Sequence, residues 1–157
     1  MTKDLRDNEN KQAEETFDLS GSFRFKVDAK GRVALPSRFR KVLSKDLVVS
    51  KAPTGDCVFV FEPDGFNSYI KQLFDDHFGG YNSSKLEHIN LLRKLKAGAD
   101  QVDVDSAGRI TLKQDIREDV GIAKDVVLLG STGRLEIWDA DAFDAQMEET
   151  DLNVFFE

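Results

Sequence analysis

The chain of 157 residues has a single cysteine, three prolines and no long hydrophobic run. One cysteine cannot form an internal disulfide, so Cys57, which lies in an apolar stretch, is predicted to be a small buried hydrophobic residue. No apolar run approaches the roughly 20 residues that a membrane-spanning helix needs, and the charged N-terminus lacks the apolar core of a signal peptide. These absences predict a cytoplasmic protein that does not bind a membrane.

Signals of catalysis are missing as well. The two histidines, His77 and His88, lie on different predicted elements without the spacing of metal ligands. Cys57 has no evident base beside it, and no glycine-rich phosphate loop is present. We therefore expect no enzyme activity: no catalytic residue, no metal, no cofactor and no small-molecule substrate.

Basic residues are concentrated in one segment of an otherwise acidic chain. The net charge is −7, and seven carboxylates without a basic residue follow position 138. Residues 24–41 hold one carboxylate against seven basic side chains, which are Arg24, Lys26, Lys30, Arg32, Arg38, Arg40 and Lys41. Phosphate binding draws its strength from Lys and Arg, so this segment is a candidate contact for nucleic acid.

An internal repeat includes this segment. Residues 27–36 recur 77 positions later as residues 104–113, with Val, Asp, Gly, Arg and Leu identical. The same register continues downstream, where Arg40 meets Arg117. Two copies of one module are therefore predicted.

Each copy predicts a turn between two strands. An Asp three residues before a Gly is typical of a bulged hairpin, in which the Asp side chain caps the turn and the Gly takes a positive φ. In the first copy such a hairpin would present Lys30 at its tip and Arg32 on its return strand, a shape that fits a DNA major groove. Most turns of this kind only reverse the chain, so the motif alone does not establish binding.

Further periodicity divides the chain into five predicted parts. They are a polar N-terminal extension (1–20), a first module (21–69), a helical connection (70–99), a second module (100–147) and an acidic C-terminal tail (148–157). Near its end the tail contains Val154, Phe155 and Phe156. Such residues are consistent either with docking on a neighbouring molecule or with a frayed end.

Residues 23–36, with Asp28, Lys30, Gly31, Arg32 and Pro36 in place, resemble the MraZ family of bacterial transcriptional regulators. The resemblance covers roughly residues 20–147. It implies a mixed α+β fold, mostly β, in which two tandem AbrB-like (SpoVT-AbrB) swapped-hairpin modules form a small pseudo-twofold barrel with connecting and flanking helices.

The resemblance also implies a function. It is sequence-specific binding of double-stranded DNA, at repeats in the promoter of the bacterium's own cell-division and cell-wall gene cluster, by a ring-shaped homo-oligomer at the nucleoid. The family's Asp-x-x-x-Arg segments carry the DNA contacts, and they map here onto two such segments. The candidate DNA-binding residues are Arg24, Lys30, Arg32, Arg38 and Arg109, and the turn-forming residues are Asp28, Gly31, Asp105 and Gly108.

The second copy departs from the first in its charge. Ala107 and Asp115 replace Lys30 and Arg38, and residues 103–119 hold three basic side chains against five carboxylates. Arg109 is therefore expected to be an auxiliary contact that contributes less than Arg32. An alternative function is a protein-interaction scaffold in which the basic segment binds an acidic partner, because a fold does not fix a function.

Overall fold

The computed structural model describes residues 19–157, so the predicted extension at 1–20 lies outside the described residues except for its last two positions. The described chain forms eight strands, five α-helices and one 3-10 helix. In chain order these are β1 (Ser22–Lys26), β2 (Arg32–Ala34), α1 (Ser37–Arg40), β3 (Asp46–Lys51), β4 (Val58–Phe61), α2 (Pro63–Phe78), α3 (Leu86–Ala97), β5 (Asp100–Asp103), β6 (Arg109–Thr111), α4 (Gln114–Asp119), β7 (Asp125–Ser131), β8 (Arg134–Asp139), α5 (Ala140–Glu149) and the 3-10 helix Leu152–Phe156.

The order of elements confirms the two predicted repeats. Strands β1 and β2, helix α1, strands β3 and β4 and helix α2 recur in the same order as β5, β6, α4, β7, β8 and α5. Helix α2 begins at Pro63 and α5 begins at Ala140, which is the same displacement of 77 positions that relates the turns. Helix α3 has no counterpart, so it is an insertion between the repeats.

Strands of the two repeats pair with each other. The main sheet is antiparallel, with the order β1-β7-β8-β4-β3-β5, and β2 and β6 form a separate two-stranded ribbon. The first strand of each repeat therefore lies at an edge of the sheet, next to the third strand of the other repeat. The mixed, mostly antiparallel fold agrees with the prediction, whereas closure into a barrel stays a prediction.

The local hairpins predicted from the turn motifs are wrong, because β1 and β2 do not form a ladder. Two backbone bonds are made across the turn, from Asp28 N–H to the Arg32 carbonyl and from Gly31 N–H to the Asp28 carbonyl, both at 3.0 Å. The Arg32 N–H donates instead to Oδ1 of Asp28 at 2.9 Å, so the carboxylate ends the pairing. Strand β2 then turns to β6, where Val33 and Ile110 become fully buried, each 0% exposed.

A pseudo-twofold axis relates the repeats. Val33 lies opposite Ile110 in the ribbon, and Phe59 lies opposite Glu136 where β4 meets β8. In both pairs each residue faces its own counterpart, 77 positions away. A residue opposes its own equivalent only at a twofold axis, so the axis passes through both places.

Apolar side chains cover both faces of the main sheet. One cluster joins the sheet to the ribbon and includes Val33, Val60, Ile110 and Ile137. The other lies under helices α2 and α5 and includes Phe66 and Phe143. Central strands with two covered faces need apolar residues at nearly every position, which explains the continuous apolar sequence of Val58–Phe61.

Cys57 belongs to the second cluster, and its predicted burial is confirmed. Its Sγ lies 3.9 Å from Oε1 of Glu136. Burial, with the nearby Glu136 carboxylate, raises the pKa of the Cys57 thiol far above its usual value. A thiol without thiolate character is a poor nucleophile, so Cys57 is a packing residue.

The turn at Gly31 is expected to tolerate no side chain, and Gly55 provides a matched control. Both glycines have a positive φ, of 80° and 75°. A Cβ at Gly31 would lie 2.7 Å from the Leu112 carbonyl oxygen, whereas none of the described atoms outside the neighbouring residues lies within 4 Å of one at Gly55. Gly55→Ala should cost about 1–2 kcal/mol of unfolding free energy for its backbone strain alone.

Gly31→Ala should lower the unfolding free energy by about 1–3 kcal/mol more than Gly55→Ala, because its Cβ would overlap the Leu112 carbonyl oxygen. Urea denaturation of the two variants measures the difference. Equal losses would show that the approach of the two repeats at this turn is not tight.

Candidate nucleic-acid interface

The first turn is organised by one carboxylate. Oδ1 of Asp28 accepts hydrogen bonds from the backbone N–H groups of Lys30, at 3.0 Å, and Arg32, at 2.9 Å. Oδ2 accepts from Nε of Arg32 at 2.6 Å. Asp28 therefore fixes both the backbone of the turn and the side chain of the arginine that follows it.

The second turn has the same geometry. Oδ1 of Asp105 accepts from the N–H groups of Ala107, at 3.0 Å, and Arg109, at 2.9 Å, and Oδ2 accepts from Nε of Arg109 at 3.0 Å. Gly108 closes the turn with a φ of 76°. Asp105 and Gly108 thus occupy the same places in the second turn as Asp28 and Gly31 do in the first.

Both carboxylates are held in the ionised form. The backbone hydrogen bond from Arg32 lowers the pKa of Asp28, and the Arg32 side chain lowers it further. The backbone and side chain of Arg109 lower the pKa of Asp105 in the same way. At neutral pH each arginine is therefore paired with a full negative charge.

The terminal nitrogens of the two guanidinium groups differ in their surroundings. Arg32 uses Nε for its carboxylate, and within the described residues its terminal nitrogens make no hydrogen bond. Nη1 of Arg109 lies 3.9 Å from Oδ2 of Asp28, so the arginine of one repeat reaches the carboxylate of the other. Each side chain is about one-third exposed.

The two Asp–Arg clamps, Asp28–Arg32 and Asp105–Arg109, share one surface. In the β2–β6 ribbon Arg32 lies opposite Thr111 and Arg109 lies opposite Ala34, so all four face away from the core. Diagonal neighbours of this kind are about 7–8 Å apart. The sequence predicted two separate hairpins, and the structure corrects this: the arginines of both repeats project from a single two-stranded ribbon.

Each turn is covered by an arginine from the other repeat. Nη1 of Arg40 donates to the Ala107 carbonyl at 3.3 Å, and a Cβ on Gly108 would overlap the Arg40 side chain. Arg117, its counterpart, lies against Gly31 and donates through Nε to the Leu112 carbonyl at 3.0 Å. The register of the repeat aligned these two arginines, but no motif indicated their role.

This crossing changes the charge around the second turn. A shallow cavity of about 160 Å³ is lined by Arg40 and Lys45 together with Asp105 and Ser106. The second turn, which has no basic residue at its tip, is therefore flanked by the basic helix α1 of the first repeat. The acidic α4 lies beside the first turn.

The other predicted DNA-binding residues lie around this ribbon. Lys30 is exposed at the tip of the first turn, and Arg38 is exposed on α1. Arg24 lies on β1 and pairs with Asp144 of α5, with Nη2 at 2.5 Å from Oδ1. This ion pair lowers the pKa of the Asp144 carboxyl.

The described residues contain neither a metal-binding cluster nor a helix suited to a membrane. Residues 19–157 contain no cluster of three or more His, Cys, Asp and Glu side chains that could hold a metal ion. None of the helices in this part of the chain has the length and apolar character to cross a membrane.

Both repeats match a known protein family. The family model described as "MraZ protein, putative antitoxin-like" matches residues 19–79 and 95–156, one segment for each repeat. The chain belongs to the MraZ family. The two matched segments of this MraZ chain contain both Asp–Arg clamps and both covering arginines.

Individual relatives share the family name. The MraZ proteins of Rhodococcus jostii strain RHA1 and Rhodococcus opacus strain B4 are each 35% identical over 133 residues, which is 85% of this chain and 89% of the relative. The protein of Christiangramia forsetii is 30% identical over 136 residues, 84% of either chain. All three are named transcriptional regulator MraZ.

The Asp28 clamp predicts a pH dependence with a defined sign. Its folded pKa is depressed, so it contributes stability above the unfolded value of about 3.9, and this contribution is lost as pH falls through the folded value. Asp28→Asn should therefore unfold at a lower temperature than the wild type at pH 7, and at a similar temperature at about pH 2.

Thermal unfolding at the two pH values measures this. Asp119→Asn, which alters an exposed carboxylate at the end of α4, is the control and should not show the pattern. If Asp28→Asn still unfolds at a lower temperature than the wild type at low pH, the lost negative charge is not the cause.

Proposed function

We propose that this protein is a sequence-specific DNA-binding transcriptional regulator that contacts duplex DNA through the β2–β6 ribbon. The observation that carries the proposal is the pair of clamped arginines, Arg32 and Arg109, on one exposed face. The names of the relatives support regulation of transcription. The family resemblance supports, as the target, repeats in the promoter of the bacterium's own cell-division and cell-wall genes.

The geometry of the clamp suits base recognition. A guanidinium reads guanine by donating two parallel hydrogen bonds to O6 and N7, and this needs its terminal edge. Asp28 and Asp105 each bind Nε of the arginine in their own turn, so the hydrogen bond within each turn does not use the terminal nitrogens. A side chain that is already ordered loses less conformational entropy on binding, so the clamp favours affinity as well as specificity.

The ribbon also suits the groove. A two-stranded β-ribbon fits the B-DNA major groove, which is about 12 Å wide. The turn tips at both ends of the ribbon would then approach the phosphates, where Lys30 and the α1 residues Arg38 and Arg40 can add charge contacts. Arg24 is proposed as a peripheral phosphate contact, since more than half of its side chain is exposed even in its ion pair.

The finer fold assignment follows the same reasoning. Exchange of strands between two strand–turn–strand segments supports the AbrB-like swapped-hairpin arrangement that the family resemblance implies. DNA as the ligand would place the protein in the cytoplasm at the nucleoid. The proposal requires neither a cofactor nor a catalytic group.

The structure leads us to expect equal contributions from both repeats, in contrast to the sequence-based expectation. Arg32→Ala and Arg109→Ala should each weaken the binding free energy for promoter DNA by about 1–3 kcal/mol and relax discrimination at one base position. The physical reason is that both clamps bind Nε of the arginine to a carboxylate and lie on one ribbon. Lys30→Ala should weaken binding to promoter and scrambled duplexes alike, with a shallower salt dependence.

Gel shifts with DNA from upstream of the protein's own gene and with a scrambled duplex measure these effects. A clearly smaller loss of binding for Arg109→Ala than for Arg32→Ala would support the sequence-based expectation that Arg109 contributes less. Equal binding of both duplexes by the wild type would instead favour the scaffold alternative.

A homo-oligomer, which the family resemblance implies to be a ring, would multiply the contacts. One ribbon offers few phosphate contacts, and such surfaces alone bind non-specifically with dissociation constants on the order of 10⁻⁴–10⁻⁶ M. Joining ribbons in a rigid assembly makes each later contact intramolecular. Affinity for several correctly spaced repeats should then exceed that for one repeat by about 10²–10⁴-fold.

Titration of duplexes that carry one, two or four repeats, with sedimentation at the same protein concentration, measures this gain. A monomer in sedimentation would disprove the ring. Equal affinity for one and for several repeats would disprove the avidity.

A further inference from the structure

The apolar side chains of the C-terminal segment are exposed to solvent. Phe155 and Phe156 of the 3-10 helix are 78% and 85% exposed, and every residue of that helix is exposed. Local hydrogen bonds nevertheless hold the segment. The Asp151 side chain accepts from the Asn153 N–H at 2.9 Å, and the Thr150 hydroxyl donates to the Gln146 carbonyl at 2.7 Å. Adjacent exposed aromatic rings on an ordered segment mark an interaction surface.

The charge of the segment restricts what can cover it. Residues 141–157 contain six carboxylates and no basic residue. Two such segments placed against each other would repel, so a symmetric tail-to-tail contact is disfavoured. The complementary surface must combine exposed apolar side chains with positive charge.

The chain carries such a surface where α2 ends and α3 begins. Phe78 and Tyr81 are 48% and 44% exposed, and both pack against the buried His88, with ring centroids 4.5 and 6.2 Å away. His88 is fixed because its Nδ1 accepts from the Asn82 N–H at 3.0 Å. Leu91, one turn further along α3, adds another exposed apolar side chain.

Helix α3, on one side of this surface, has a net positive charge, whereas the last turn of α2, on the other side, contributes the carboxylates Asp75 and Asp76. Residues 85–97 contain one carboxylate and four basic side chains, which are Lys85, Arg93, Lys94 and Lys96. Helix α3 is also the insertion that has no counterpart in the second repeat. Each chain therefore has one acidic apolar segment and one apolar surface beside a net basic helix.

We propose that residues 150–157 of one copy dock on the α2–α3 surface of a second copy. The inference deepens the homo-oligomer of the proposed function by assigning its contact. One donor and one acceptor per chain make a head-to-tail contact, which closes into a ring when the rotation between copies permits. Each copy then makes the contact twice, once as donor and once as acceptor.

Cysteine cross-linking of the full-length chain tests the contact directly. The double variant Phe78→Cys/Phe155→Cys should form, on mild oxidation, a ladder of covalent multimers on a non-reducing denaturing gel. Each single variant should form none, because the contact joins two different positions. The native Cys57 is buried and should stay reduced.

The control is Gln101→Cys/Phe155→Cys, which places a thiol on the exposed face of edge strand β5 and should give no ladder. Dimers from Phe155→Cys alone would indicate tail-to-tail pairing and overturn the proposal. A double variant that stays monomeric on the gel would overturn it as well.

Sedimentation of Phe155→Ala/Phe156→Ala provides an independent readout. Both side chains are exposed, so the unfolding temperature should not change, while the oligomer should dissociate. An unchanged oligomer would overturn the proposal.

The same variant separates this inference from the proposed function. It should keep its preference for a single promoter repeat over scrambled DNA and lose the gain on several repeats. A wild type that fails to prefer promoter DNA would disprove the proposed function, and the cross-linking result would still decide the tail contact.

Discussion

The pairing of β2 with β6 is the interaction on which the rest of the architecture depends. Val33 and Ile110 meet on the pseudo-twofold axis, fully buried, and their burial joins the ribbon to the main sheet. The same pairing places both clamped arginines on one face. It also brings Arg40 and Arg117 onto the turns that they cover. Without it each repeat would keep its turn chemistry, but the shared surface would not exist.

The turns could be predicted because their cause is local. An Asp side chain reaches the N–H groups two and four residues ahead whatever the rest of the chain does, and Gly supplies the positive φ. The partner of β2 could not be predicted. Its three residues have one buried position, Val33, and that pattern suits pairing with β1 or with β6 equally well. The choice depends on the core formed by both repeats together.

Charge shows the same division between local and distant causes. The segment 24–41 is basic along the chain, but Arg24 pairs with Asp144, which lies 120 positions away. The residues around the second turn are acidic along the chain, but the first repeat supplies a basic helix there. Counting charge along a sequence describes the neighbourhood of a side chain only where chain neighbours are also spatial neighbours. Strand exchange breaks that condition for both turns.

The joining of two halves in one chain has a consequence for the DNA that such a surface can read. A dimer of identical chains presents the same groups on both sides of its dyad and is matched to palindromic sites. Here the halves have diverged, since Lys30 corresponds to Ala107 and Arg38 to Asp115. A ribbon that binds DNA as proposed would consequently have a direction along the duplex. A surface with a direction is suited to an asymmetric operator whose copies all run the same way.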